Sequence, residues 1–162
     1  MFRFTNFVLL ELTLDCNLRC KYCYLREKDK YTGQIMSYET FCGVIDTIIP
    51  QRKLSGFRKD LELEVVFHGG EPTLVGEDLL ERFFAYAKTK LVEAGLPHRL
   101  IIQTNATRIT KRLTDLVKQY NVDLGISLDG MGEKNTLRTN GAETQKRILE
   151  GVDLLRKENV PF

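Results

Sequence analysis

Three of the chain's four cysteines fall within eight residues, Cys16-Asn17-Leu18-Arg19-Cys20-Lys21-Tyr22-Cys23, at the spacing C-x3-C-x2-C. Thiolates are ligands for soft and borderline metals and for iron–sulfur clusters. Three so close in sequence can wrap one small inorganic centre, and they leave a four-iron cluster or a tetrahedral metal one ligand short. A structural site closes that position with a protein ligand, whereas a catalytic site keeps it open. The stretch therefore reads as a metal site, and the missing ligand makes it a catalytic one. Two other readings use the same thiols: a structural zinc site closed by His68 or His98, and three unrelated core thiols. Cys42 stands apart on an apolar helical face and reads as a small buried hydrophobe.

With 162 residues, 43% of them hydrophobic, the chain can bury a real core, and it reads as one domain, 1–162. Its net charge of +2, from 24 basic and 22 acidic residues, gives no strong pull toward nucleic acid or membrane. The first apolar run is broken by Glu11, and no stretch approaches the ~18 apolar residues of a membrane span. Clustered cysteines without an export signal fit a reducing cytoplasm rather than a disulfide framework.

Residues 7–14 alternate like a strand, with Val8, Leu10, Leu12 and Leu14 on one face and Leu9, Glu11 and Thr13 on the other. Residues 28–34 are polar and read as loop. Ser37 is placed to cap a helix carrying Phe41, Val44, Ile45, Ile48 and Ile49, which Pro50 is expected to stop. Residues 51–60 read as a basic connection, and 61–68 as a second strand. Gly69-Gly70-Glu71-Pro72 follows at once: glycines let backbone approach a ligand closely, Glu71 can accept from an ammonium, and Pro72 fixes the turn. A helix is expected over 77–93, with Leu79, Leu80, Phe83, Phe84 and Ala87 inward and Gly95 at its end. Residues 99–105 form a third strand, Thr110 caps a helix carrying Leu113, Leu116, Val117 and Tyr120, and 122–129 form a fourth strand. After a polar loop, 130–141, a fourth helix uses Ile148, Leu149, Val152 and Leu155. A fifth strand is expected to start at Asn159-Val160-Pro161-Phe162.

The expected fold is thus α/β, with four βα units. Helix-length crossovers demand parallel strands and right-handed connections. A flat doubly wound sheet and a barrel both satisfy that rule. Polar residues on one face of the C-terminal strand halves (Thr13, His68, Gln103, Asn105, Ser127 and Asp129) favour a partial TIM-like barrel with one site at its C-terminal rim.

The cysteine spacing, with aromatic Tyr22 before the third cysteine, resembles the signature of the radical S-adenosylmethionine (SAM) family. Gly69-Gly70-Glu71-Pro72, one βα unit later, is similar to that family's GGEP element. Gln103-Thr104-Asn105-Ala106-Thr107 resembles the Q-T-N-G-T stretch of members that modify proteins and peptides, among them the anaerobic sulfatase-maturating enzymes, with Ala106 in place of glycine. Ser127-Leu128-Asp129-Gly130 matches their S-L-D-G. The family's downstream arginine aligns with Arg138, and less well with Arg147; Met131 stands where proline is usual, and Asn135-Thr136 where His-Asp is common. The resemblance spans residues 7–162. It implies a [4Fe-4S] cluster on Cys16, Cys20 and Cys23, with SAM on the fourth iron. It implies that Gly69, Gly70 and Glu71 hold the SAM amine, Ser127 the ribose, and Arg138 the carboxylate or ribose, with the Tyr22 backbone near the adenine. Gln103, Asn105 and Asp129 would line the substrate face. An electron from a donor such as flavodoxin or ferredoxin would split SAM into methionine and a 5′-deoxyadenosyl radical, which takes a hydrogen atom from a peptide or protein substrate. A small-molecule or tRNA substrate is the alternative within the family. A non-catalytic zinc- or partner-binding half-barrel is the alternative outside it.

Members of this branch carry six βα units and a cysteine-rich C-terminal region (SPASM) with auxiliary clusters. This chain reads as the N-terminal portion of such a protein, ending before the fifth strand. Any catalytic acid or base is then expected past Phe162, and the edge of the fourth strand is expected to drive self-association.

Overall fold

Every strand pairs with its neighbour in sequence. The computed structural model describes residues 6–25, 32–54, 61–131, 137–138 and 141–162. Strands β1 (Phe7–Thr13), β2 (Leu63–Gly69), β3 (His98–Thr104) and β4 (Val122–Ile126) alternate with helices α1 (Tyr38–Leu54), α2 (Glu77–Glu93), α3 (Lys111–Tyr120) and α4 (Gly141–Lys157). A 3-10 turn, Pro72–Val75, precedes α2. All three pairings are parallel, and the sheet order is β1-β2-β3-β4. A doubly wound sheet reverses its order at a switch point. An unbroken order with right-handed crossovers lays all the helices on one face. The sheet is thus an open, unclosed section of barrel, as expected.

Helix-facing positions Leu10, Leu12, Leu63, Val65, Phe67, Leu100, Ile102, Val122 and Leu124 are buried. They pack on Phe41, Ile45, Leu80, Phe83, Phe84, Leu113 and Val117. Phe41 stacks on Phe83 with centroids 4.3 Å apart, and Phe67 meets Phe84 edge-on at 4.9 Å. Cys42 is half-buried against this core. A second small cluster, Ala106, Ile148 and Val152, seats α4 on the turn after β3. Both expected caps form: Ser37 Oγ accepts from the Thr40 N–H at 3.1 Å, and Thr110 Oγ1 from the Leu113 N–H at 3.0 Å.

Pro50 does not stop α1, which runs on to Leu54 with the proline inside it. The ring forfeits one helical hydrogen bond, to the Asp46 carbonyl. The turn beyond it is anchored from outside: Arg52, 5% exposed, donates to Asn6 Oδ1 and to the Leu61 carbonyl, tying the helix end to the entries of β1 and β2. Part of the expected 51–60 connection is therefore helix, and 55–60 lie outside the described residues. So do 28–31 of the first polar loop, and 132–136 and 139–140 of the last. β4 is shorter than expected. Ser127 still donates to the Thr104 carbonyl at 2.9 Å, but the chain then leaves the sheet. Residues 160–162 form no strand. They follow the C-terminal cap of α4, where Asn159 takes a left-handed φ of 54° and the Val160 N–H bonds the Leu155 carbonyl at 2.9 Å. Among the described residues no helix is long and apolar enough to cross a membrane.

Two helical glycines differ in their surroundings. A Cβ on Gly43 would meet nothing within 4 Å, whereas one on Gly151 would stand 2.3 Å from the Ala106 carbonyl oxygen. Gly43→Ala should stabilise the fold by about 1 kcal/mol through helix propensity, and Gly151→Ala should destabilise it by about 1–3 kcal/mol through overpacking. Urea denaturation midpoints check both; equal shifts of one sign would refute the seating of α4 on the Ala106 turn.

Candidate functional site

Parallel pairing brings the cysteine loop, which follows β1, and the Gly69-Gly70-Glu71-Pro72 loop, which follows β2, to the same end of the sheet. The two are joined backbone to backbone. Gly70 N–H donates to Thr13 O at 2.8 Å, and Glu71 N–H to Asp15 O at 2.9 Å. A Cβ on Gly69 would stand 2.1 Å from Thr13 O, and one on Gly70 2.2 Å from Asp15 O. The close approach that requires these glycines is thus to the segment that enters the cysteine loop. The Asp15 carboxylate holds the loop's return, accepting from the N–H groups of Thr32 at 2.7 Å and Gly33 at 2.8 Å.

Glu71 is 1% exposed. Its Oε1 accepts from the Thr73 N–H at 3.0 Å, the Thr73 hydroxyl at 2.7 Å and the Thr104 hydroxyl at 2.8 Å, and its Oε2 accepts from the Asn105 N–H at 2.8 Å. The carboxylate therefore caps the 3-10 turn and fastens it to the end of β3. A carboxylate has about four acceptor positions. Oε1 is filled, and among the described residues Oε2 takes a single donor.

Asn105, 6% exposed, turns back to the cysteine loop. Its Nδ2 donates to Asn17 Oδ1 at 2.8 Å and reaches Cys16 Sγ at 3.9 Å. Asn17 Nδ2 donates to Thr107 Oγ1 at 2.8 Å, and the Thr107 hydroxyl donates to Asn105 Oδ1 at 2.7 Å, which closes a polar ring. On the opposite side, the Tyr22 hydroxyl donates to Asp129 Oδ2 at 2.5 Å, and Arg138 Nη2 pairs with Asp129 Oδ1 at 2.9 Å. Burial, and then the Asp129 carboxylate it donates to, push the Tyr22 phenol well above its ordinary range, so it stays a donor. Arg138 Nη1 lies 3.9 Å from Cys20 Sγ. Gln103 Nε2 donates to Ser127 Oγ at 2.9 Å on the concave face.

The three thiols are half-buried on one loop. They are not drawn into a closed cage: among the described residues no group of three or more His, Cys, Asp and Glu side chains stands at metal-holding geometry. Burial pushes the Cys16 thiol up, and the Glu71 charge adds to this against the Leu18 N–H, which donates to its sulfur at 3.4 Å. A metal loading this loop has to displace that proton. N–H donors already face the Cys16 and Cys20 sulfurs, which suits thiolate ligands, so the donor set fits an iron–sulfur cluster. His98 opens β3 at the far end of the sheet, roughly 20 Å away by strand rise, and cannot close a zinc site on the loop. His68 sits beside Glu11 in register, and its Nδ1 is buried without a partner among the described residues.

Most of the expected site residues therefore share one rim, in two networks that meet only through the cysteine loop: Cys16, Glu71 and Asn105 on one side, and Cys20, Tyr22, Asp129 and Arg138 on the other, with the glycines beneath. Thr13 does not join it, since its hydroxyl donates to the Gln34 carbonyl at 2.8 Å. Asn17, Thr104 and Thr107 were not expected. Asn17 lies inside the cysteine motif and the other two inside the Gln103–Thr107 stretch, but the contacts that tie them into the rim (Thr104 to Glu71, Asn17 to Asn105 and Thr107) span 33 to 90 residues.

An open parallel βα barrel with a three-thiol loop at its C-terminal rim has the layout of barrel enzymes that hold a metal centre above the strand ends. The family model described as the Radical SAM superfamily matches residues 10–162. The chain belongs to the radical SAM superfamily, whose enzymes use a [4Fe-4S] cluster and SAM. It is similar to a cysteine-type anaerobic sulfatase-maturating enzyme of Clostridium novyi, 30% identical over 152 residues that make up 91% of this chain and 39% of that protein. It is 34% identical over 129 residues to the Fe-coproporphyrin III synthase of Methanosarcina barkeri, covering 79% of this chain and 28% of that one. Its fold matches the solved structure of native anSMEcpe with bound AdoMet (SAM), with a TM-score of 0.78 and 23% identity over 96% of this chain and 42% of that one. The chain spans about half the length, or less, of the curated relatives it matches.

Glu71→Gln keeps the shape but sets an amide against donors on one side. A hydrogen bond to a charged group is worth about 1.5–3 kcal/mol, so the variant should lose about 2 kcal/mol or more of stability in urea denaturation of the metal-free chain. Thr104→Val should lose about 1 kcal/mol. A Glu71→Gln chain as stable as the parent would refute the fastening role.

Proposed function

We propose that this chain is the cluster- and SAM-binding portion of an enzyme that modifies a peptide or protein side chain. The observation that carries the reading is the fastening of the three-thiol loop to the loops after β2, β3 and β4, which makes one rim of all four strand ends. When bound, the [4Fe-4S] cluster and SAM supply a 5′-deoxyadenosyl radical that takes a hydrogen atom from the substrate. The chain's own residues bind, orient and exclude water. Cys16, Cys20 and Cys23 are the cluster ligands. Gly69, Gly70 and Glu71 receive the SAM amine, with Glu71 Oε2 the acceptor that has room. Ser127 takes the ribose. Arg138, whose buried Nε has no partner among the described residues, donates to the carboxylate or ribose. The Tyr22 backbone lies by the adenine. Gln103, Asn105 and Asp129 form the substrate side of the rim, with Asn105 and Asp129 also bracing the cysteine loop.

Similarity to a sulfatase-maturating enzyme supports a peptide substrate, and the near-neutral charge speaks against RNA. A small-molecule substrate is the second reading, supported by the similarity to Fe-coproporphyrin III synthase. A flavodoxin- or ferredoxin-type donor in the cytoplasm supplies the electron, and the free edge of β4 supports self-association.

Anaerobic reconstitution with iron and sulfide should give a brown protein that dithionite bleaches and that releases 5′-deoxyadenosine from SAM. Cys20→Ala should lose both iron and SAM cleavage. A variant that cleaves SAM at the parent rate, or a colourless parent that holds one zinc instead, would overturn the assignment.

A further inference from the structure

On the reading that Cys16, Cys20 and Cys23 carry the cluster, we propose that Arg138 is a positioning residue that fixes a positive charge at the Cys20 sulfur and makes the cluster easier to reduce. The side chain is 7% exposed. Nη1 lies 3.9 Å from Cys20 Sγ, Nη2 lies 2.9 Å from Asp129 Oδ1, and the guanidinium carbon sits 5.9 Å from the centre of the Tyr22 ring. Three consecutive residues of the cysteine loop are thus held from one short segment and its partner: Cys20 by the Arg138 guanidinium, Lys21 through its N–H on the Leu137 carbonyl at 2.8 Å, and Tyr22 through its hydroxyl on Asp129 at 2.5 Å.

This arrangement sets the sign of the electrostatic effect. The cation is buried and held from both sides, next to the ligand sulfur. Its counterion Asp129 is more exposed, at 27% against 7% for the two side chains, so solvent screens it more. Reduction adds one electron to the centre and forms or breaks no bond. A fixed neighbouring cation and an N–H donor on the sulfur both favour the more negative form. Arginine serves better than lysine as such a charge, because it stays protonated and its planar fork reaches Asp129 and Cys20 together.

The test compares the parent with R138Q, R138K and D129N after anaerobic reconstitution, by dithionite-poised redox titration followed by electron paramagnetic resonance, without SAM. Leaving SAM out removes any part Arg138 plays in binding it. In R138Q the ratio of reduced to oxidised centre, read at the parent midpoint, should fall about threefold to tenfold, where tenfold is ~59 mV for one electron. R138K should lie closer to the parent. D129N should move the opposite way, toward easier reduction. A merely loosened loop would lower iron content and would not shift the two variants in opposite directions. If R138Q holds less iron than the parent, D129N decides alone: a rise supports the proposal, and no change or a fall overturns it. An unchanged midpoint in fully loaded R138Q overturns it and leaves the cluster assignment standing. A parent that takes up no iron and sulfide overturns both.

Discussion

A buried carboxylate met by hydrogen-bond donors from two segments holds the rim of this sheet together. Glu71 is ringed by four N–H and O–H donors, two from Thr73, one from Thr104 and one from Asn105. An ionised carboxylate is tolerated in an interior only when its oxygens are met by donors, and here those donors come from two loops. Satisfying Glu71 thus obliges the segment after β2 and the end of β3 to meet. The same residue's backbone N–H reaches Asp15 and adds the entry of the cysteine loop. One residue therefore sets the relative position of three strand ends.

The remaining contacts divide the cysteine loop into two sides with different chemistry. On the β3 side the Asn17, Asn105 and Thr107 side chains form a neutral ring that orients without adding charge. On the β4 side Tyr22, Asp129 and Arg138 form a charged group. Cys16 faces the first and Cys20 the second. Sulfurs that are equivalent in the motif are thus inequivalent in the fold.

The architecture was legible in the sequence because it rests on periodicity. Alternation marked the strands, helical spacing and caps at Ser37 and Thr110 marked the helices, and the cysteine spacing marked the rim. Errors came where a distant partner overrides a local rule. Pro50 should end a helix, but Arg52 is held by Asn6, which is 46 residues away. Residues 127–129 alternate like strand, yet Asp129 is claimed by Tyr22, 107 residues away. Glu71 reads as a ligand-binding acid because a glycine pair precedes it. Its structural work depends on Thr104 and Asn105, whose roles no local pattern announces.

The strand order has a consequence for how such a protein comes into being. Because β1, β2, β3 and β4 pair strictly in sequence order, each strand after the first leaves the ribosome with a partner already made. Synthesis runs from the N-terminus, so the residues after β1, β2 and β3 that meet around Glu71 are all made before β4. The β4 side, with Asp129 and Arg138, arrives last. The thiol loop and its neutral partners are thus synthesised before the residues that give it charge, and the loop is electrically complete only when the fourth unit docks.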